Sequence, residues 1–144
     1  MKKLILLLSV LLFSLEFVAA QDEYERSVFV SSSGDSLNYR LLEPEVMQAG
    51  EKYPLVLFLH GAGERGNDNE KQLTHGGQMF LNPVNREKYP AFVLFPQCPE
   101  SGYWAYENRP QSFIPTQMPV GKEMPSVFQA VKELLDMYLA NPQV

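Results

Sequence analysis

The chain has 144 residues, a formal net charge of −5, 45% hydrophobic and 20% charged residues, and one cysteine. This is the balance of a globular domain and not of a disordered one. The negative charge argues against nucleic acid and anionic membrane surfaces as partners, and a lone Cys98 excludes an internal disulfide even in an oxidising compartment.

The N-terminus comes first. Lys2 and Lys3 precede the apolar run LILLLSVLLF, and FVAA ends in small residues. Residues 1–20 therefore read as a secretory signal peptide cut after Ala20. The apolar run is short for a membrane span, and Gln21 rather than a cysteine follows the cut, so no lipid-modified terminus is expected. The expected product, residues 21–144, is exported to the periplasm or the extracellular space, with no membrane attachment after cleavage. Losing Lys2, Lys3 and Glu16 makes it one unit more negative.

YERSVFVSSSGDSLNYRLLEP reads as a β-hairpin. Val28 and Val30 alternate with polar neighbours, Ser33-Gly34-Asp35 supplies a turn, and Leu37, Tyr39 and Leu41 resume the alternation. PLVLFL from Pro54 and AFVLFP from Ala91 are apolar throughout. Such runs suit strands covered on both faces in a largely parallel sheet.

The segment between them has the length of a βαβ crossover. Asn67 or Asp68 is the expected cap of a helix reaching about His75, where Gly76-Gly77 weakens it; MFLNP forms at most a short turn before Pro83. The proline-rich segment after the second buried strand carries Tyr103, Trp104 and Tyr106, which argue for packing rather than a free linker. A last helix starts at Pro125. Val127, Val131, Leu134 and Tyr138 share one face, Phe128, Leu135 and Leu139 widen it, and Asn141-Pro142 stops it.

LVLFLHGAGERGND, Leu55 to Asp68, carries the chemistry. Gly61, Gly63 and Gly66 spell the dinucleotide pattern G-x-G-x-x-G. All three lie before the expected helix cap, however, and the strand-end acid of a nucleotide fold is replaced by Pro96-Gln97-Cys98. No cofactor is expected. His60, His75 and Cys98 show no short ligand spacing, so no metal is expected either. Cys98 reads as a half-buried loop residue in preference to a reactive thiol. The remaining reading is an oxyanion loop, in which flanking glycines let a backbone N–H approach the negative oxygen of a tetrahedral intermediate.

YPLVLFLHGAGERGNDNEKQL, with FVLFPQCPE and the following Trp104, resembles secreted α/β-hydrolases of the esterase and predicted-peptidase type. These are related to the polyhydroxybutyrate-depolymerase-like and phospholipase/carboxylesterase groups. The resemblance implies an α/β fold, the N-terminal portion of an α/β-hydrolase sheet: an antiparallel hairpin, then parallel strands with crossover helices. It implies Ala62 as backbone oxyanion donor, with Gly61 and Gly63 shaping the loop. His60, Glu64, Arg65 and Trp104 are candidates for the substrate cleft. Glu64 and Arg65 read equally as braces of the loop, as groups meeting a substrate carboxylate, and as solvated charges. The Trp104 cluster reads as a cleft wall or a hydrophobic lid.

The same resemblance demands a G-x-S-x-G elbow, then an acid and a histidine. No G-x-S-x-G occurs in the 144 residues; Ser101 and Ser126 follow no apolar strand, and His60 and His75 come too early. The expectation is therefore a hydrolase represented by its N-terminal half, lacking the fifth strand onward. Its catalytic residues would lie after Val144, its substrate would be an ester or peptide-like acyl compound, and the chain alone would be inactive. The strand ending at His60 should then show an open edge. The alternative is a small secreted module that binds carbohydrate or peptide through Trp104 without catalysis.

Overall fold

The computed structural model describes residues 23–105 and 124–144. The expected signal peptide and Tyr106 lie outside them. The hairpin forms as read: β1 (Glu25–Val30) pairs antiparallel with β2 (Ser36–Leu42). Its turn is closed by Ser31 N–H to Asp35 O and Gly34 N–H to Ser31 O, both 2.9 Å, with Gly34 at φ 89°.

The faces of β1 differ from the expectation. Val28 and Val30 are 58% and 61% exposed, and Phe29 turns to the core instead. The register explains this. Phe29 lies opposite Leu37, and Leu37, Tyr39 and Leu41 are buried, so Phe29 must share their face.

The other strands are β3 (Leu55–Leu57) and β4 (Phe92–Pro96). The sheet order is β1-β2-β4-β3, with β2 antiparallel and β3 parallel to β4. β4 is buried at all five positions, as its unbroken apolar run requires. β3 is only half-buried: among the described residues it is the sheet margin, with β4 on one side and the other edge open.

The crossover departs most from the sequence reading. Asp68 is a cap, accepting the Glu70 and Lys71 N–H groups at 2.9 and 3.0 Å, but what it caps is a single 3₁₀ turn, Lys71–Leu73. The α-helices come later. Gly76-Gly77, read as a breaker, starts α1 (Gly77–Leu81), which takes up the MFL of the expected turn. Asn82 then caps α2 (Pro83–Lys88) by accepting from Val84 and Asn85 N–H, with Pro83 in the first turn where its missing N–H costs nothing.

Gly76 is irreplaceable on two counts. Its φ is 92°, and a Cβ there would lie 2.7 Å from the Phe58 ring. Gly76→Ala combines left-handed strain of about 1–3 kcal/mol with overpacking of similar size. The midpoint of urea unfolding should fall clearly; an unchanged midpoint would show that α1 starts differently.

α3 (Ser126–Leu139) covers one face of the sheet. Ala130, Val131 and Leu134 pack against Leu37, Tyr39, Leu41, Phe92 and Leu94, with Val127 and Tyr138 beside them. Leu139, expected to widen that face, is instead 56% exposed. The opposite face carries Leu42, Val93 and Phe95 under Tyr24 and Leu73, with Phe58 and Phe80 at the margin. Two packed layers thus hold β4 rigidly, and the loops leaving the ends of β3 and β4 inherit that rigidity.

Candidate oxyanion site

The loop after β3 begins at His60, which is 5% exposed. Its ring is engaged at both nitrogens. Nε2 accepts the Cys98 N–H at 3.0 Å, so the ring proton sits on Nδ1, which donates to Gly61 O at 2.6 Å. The His60 carbonyl accepts the Trp104 Nε1–H at 3.0 Å, and the two rings lie 5.1 Å apart. His60, a candidate for the substrate cleft, is therefore a buried brace between the ends of β3 and β4.

The brace has a directional consequence. A trans peptide points its C=O and the next N–H in opposite directions, and the described residues contain no cis bond. With Gly61 C=O turned to the imidazole, Ala62 N–H must turn away from it. Ala62–Glu64 form a 3₁₀ turn, whose first N–H groups have no partner within the turn. Among the described residues Ala62 N–H donates to no backbone carbonyl.

A cavity of about 170 Å³ adjoins it, lined by His60, Gly61, Ala62, Arg65, Tyr103 and Trp104. A larger apolar hollow of about 350 Å³ lies at the other end of the strands, beside Pro54, Val56 and Phe80, remote from this loop.

The two glycines are not equivalent. A Cβ at Gly61 would lie 3.0 Å from Glu64 Oε2, whereas one at Gly63 would meet nothing within 4 Å. Gly63 also has no positive φ. The expectation that both shape the loop survives on steric grounds for Gly61 alone.

Arg65 resolves to a brace. Nε donates to Ala62 O at 3.0 Å, Nη1 to Gly102 O at 3.0 Å and to Glu100 O at 3.3 Å, and the guanidinium lies 4.2 Å from the Tyr103 ring centroid. Glu64 is 14% exposed at its side chain and pairs with the exposed His75 at 3.4 Å. Trp104 is half-buried, lining the cavity while packing against the α3 side of the core.

Cys98 corrects its own reading. It is fully buried, not half-buried, and burial pushes its thiol up to about 11 against the pull of Arg65. A thiol so placed stays protonated and is no nucleophile. The residue acts through its backbone: N–H to His60, and carbonyl to Gly66 N–H at 3.0 Å.

Sequence reasoning passed over Gln97, Asn69 and Gln72, buried polar residues around this loop. The signal for Gln97 was its place, an uncharged amide directly after five apolar residues. Among the described residues neither His60 nor His75 is hydrogen-bonded to a serine.

With this geometry in place, two solved structures bear comparison. A thermostable esterase superposes with a TM-score of 0.69 at 32% identity, over 87% of this chain and 32% of that one. The chain thus spans about a third of the esterase's length. A BES protein from Bacillus cereus aligns with a TM-score of 0.42 at 16% identity, over 81% of this chain and 47% of that one, too distant to carry weight. No protein-family model matches the chain, and no curated protein does. The strand order, the parallel β3–β4 pair and the esterase match make this an α/β fold, the N-terminal portion of an esterase-like α/β-hydrolase sheet.

Proposed function

We propose that the chain supplies the oxyanion half of a secreted serine hydrolase active site, acting on a carboxylic ester or peptide-like acyl substrate. The observation that carries this reading is the Ala62 N–H, unpartnered among the described residues and turned away from His60 beside a cavity. When a serine attacks an acyl carbon, negative charge gathers on the carbonyl oxygen. A preorganised N–H aimed at that oxygen is worth about 3 kcal/mol of barrier. Rigidity is what makes it effective, and His60 and Arg65 supply that rigidity on either side of Ala62.

The nucleophile, the acid and the catalytic histidine are not contributed by these 144 residues in this reading. A serine-directed phosphonate should therefore leave the isolated chain unlabelled, while codons downstream of Val144 should encode a strand and G-x-S-x-G. Stoichiometric labelling of Ser101 or Ser126 would sink the division of labour. The polyhydroxybutyrate-depolymerase-like and phospholipase/carboxylesterase groups remain the proposed relatives on the strength of LVLFLHGAGERGND. Export belongs to the same proposal, and Edman sequencing of the secreted protein should begin at Gln21.

The reading as a carbohydrate- or peptide-binding module has less support. The Trp104 indole N–H is already given to His60, and the Tyr103 face to Arg65.

A further inference from the structure

Gln97 follows β4 directly and is 1% exposed. A buried amide is costly unless its polar atoms are matched. Here they are matched by the segment that continues the oxyanion loop. Oε1 accepts the Asn69 N–H at 2.7 Å, and Nε2 donates to Asp68 Oδ1 at 2.8 Å and to the Glu64 carbonyl at 3.3 Å. The Gln97 main-chain N–H donates to Asn38 O on β2 at 2.8 Å, so the amide is anchored in the sheet.

Its three partners are themselves fixed. Asp68 is ionised: burial works against its charge, but the Lys71 N–H, the Gln97 amide, the Glu70 N–H and the Lys71 ammonium hold its carboxyl well below the usual carboxylate range. An ionised carboxylate only accepts, and so requires a donor opposite it. Asn69, at φ 55°, gives its carbonyl to the buried Arg40 Nε at 2.7 Å and its side-chain amide to Ser27 O at 3.1 Å. Glu64 closes the 3₁₀ turn that starts at Ala62. The next residue, Cys98, holds Gly66 and His60 by its backbone. The loop from His60 to Asn69 therefore hangs from two consecutive residues at the end of β4.

We infer that Gln97 is a positioning residue of the oxyanion loop, its side-chain amide tying Glu64, Asp68 and Asn69 to the sheet and so setting where Ala62 N–H points. The catalytic meaning of this role rests on the hydrolase reading above; the tie itself does not. The position takes glutamine and no isostere. A methionine fills the volume with no donor or acceptor. A glutamate sets a second carboxylate against Asp68 and loses both donated bonds.

The test is amide hydrogen exchange on the ¹⁵N-labelled full chain. Gly66 and Asn69 report the loop; Leu41 on β2 and Leu134 on α3 report the fold. Gln97→Met should speed exchange at Asn69 and Gly66 about tenfold or more, the scale of one lost hydrogen bond, and shift the Ala62 resonance, with Leu41 and Leu134 unchanged. Loop amides that keep wild-type exchange in the folded variant would overturn the inference.

If Gln97→Met also loses Leu41 and Leu134, Gln97→Glu decides, since it keeps the volume. It should free the loop amides at pH 7, and adding Asp68→Asn, which places a donor opposite the new carboxylate, should restore them in part. Equal loss in the single and double variants would show that Gln97 only fills space. None of these readouts needs turnover. A faster-exchanging loop with no serine hydrolase downstream would refute the hydrolase reading and leave the tie standing, and the reverse result would do the opposite.

Discussion

Phe95→Ala should cost about 3–5 kcal/mol of stability, the range for deleting a buried aromatic ring. Phe95 is fully buried at the centre of β4, with its ring 4.7 Å from Phe58, 5.4 Å from Tyr24 and 5.7 Å from Phe80. No neighbour collapses easily into the space, because Tyr24 is pinned by its hydroxyl donating to Gly77 O at 2.7 Å, and Gly76 already touches Phe58. Against a net stability of about 5–15 kcal/mol for a typical domain, most of the margin would go. Urea unfolding followed by Trp104 fluorescence should show a much lower midpoint at unchanged slope. Val28→Ala is the informative control. If the alternation of β1 placed Val28 in the core it would be costly; at 58% exposure it should stay within about 0.5 kcal/mol of wild type.

His60→Phe should separate the brace from the ring. Phenylalanine keeps a ring against Trp104 but strands the Cys98 N–H and releases Gly61 C=O. The buried N–H alone costs about 1–3 kcal/mol when unpaired, a Tm lower by roughly 5 °C or more. The local effect should exceed the global one. With Gly61 C=O free, the Gly61–Ala62 peptide loses its fixed orientation, and the Ala62 amide resonance should broaden or move while α3 resonances hold. A sharp, unmoved Ala62 signal at wild-type Tm would mean that Arg65 and the 3₁₀ turn orient the loop without His60.

Local chemistry was legible where the interactions are local. The hairpin turn at Ser33-Gly34-Asp35, the buried run of β4 and the helix from Ser126 all emerged from patterns a few residues long. The oxyanion loop was legible because glycine and histidine at the end of an apolar run are unusual. What failed depends on distant partners. Val28, Phe29 and Val30 are all apolar, and only the pairing of Phe29 with Leu37 decides which side faces inward. Asp68 is a sound cap signal, yet its Oδ1 is shared with Gln97, and the chain turns away after Leu73 rather than winding on. Gly76-Gly77 reads as a stop locally, but its lack of a side chain serves the Phe58 ring.

The site shows the same division. Ala62 could be named from its place after His60-Gly61, but the use of both His60 nitrogens requires Cys98, and the loop's attachment requires Gln97, both from the next strand's end. Arg65 and Glu64 had three readings each in the sequence. Two carbonyls of the Cys98–Gly102 stretch, together with Ala62 O, determined the role of Arg65. Long-range hydrogen bonds of this kind leave no periodic trace in a single sequence.

The central claim is that Ala62 N–H faces a developing oxyanion. A crystal structure of the complete protein, extended through its downstream codons and inactivated by a phosphonate at the nucleophilic serine, tests it directly. The account predicts the phosphonyl oxygen about 3 Å from Ala62 N, with His60 still bridging Cys98 N–H and Gly61 O. A phosphonyl oxygen held by other donors, with Ala62 N–H bonded elsewhere or facing solvent, would contradict it.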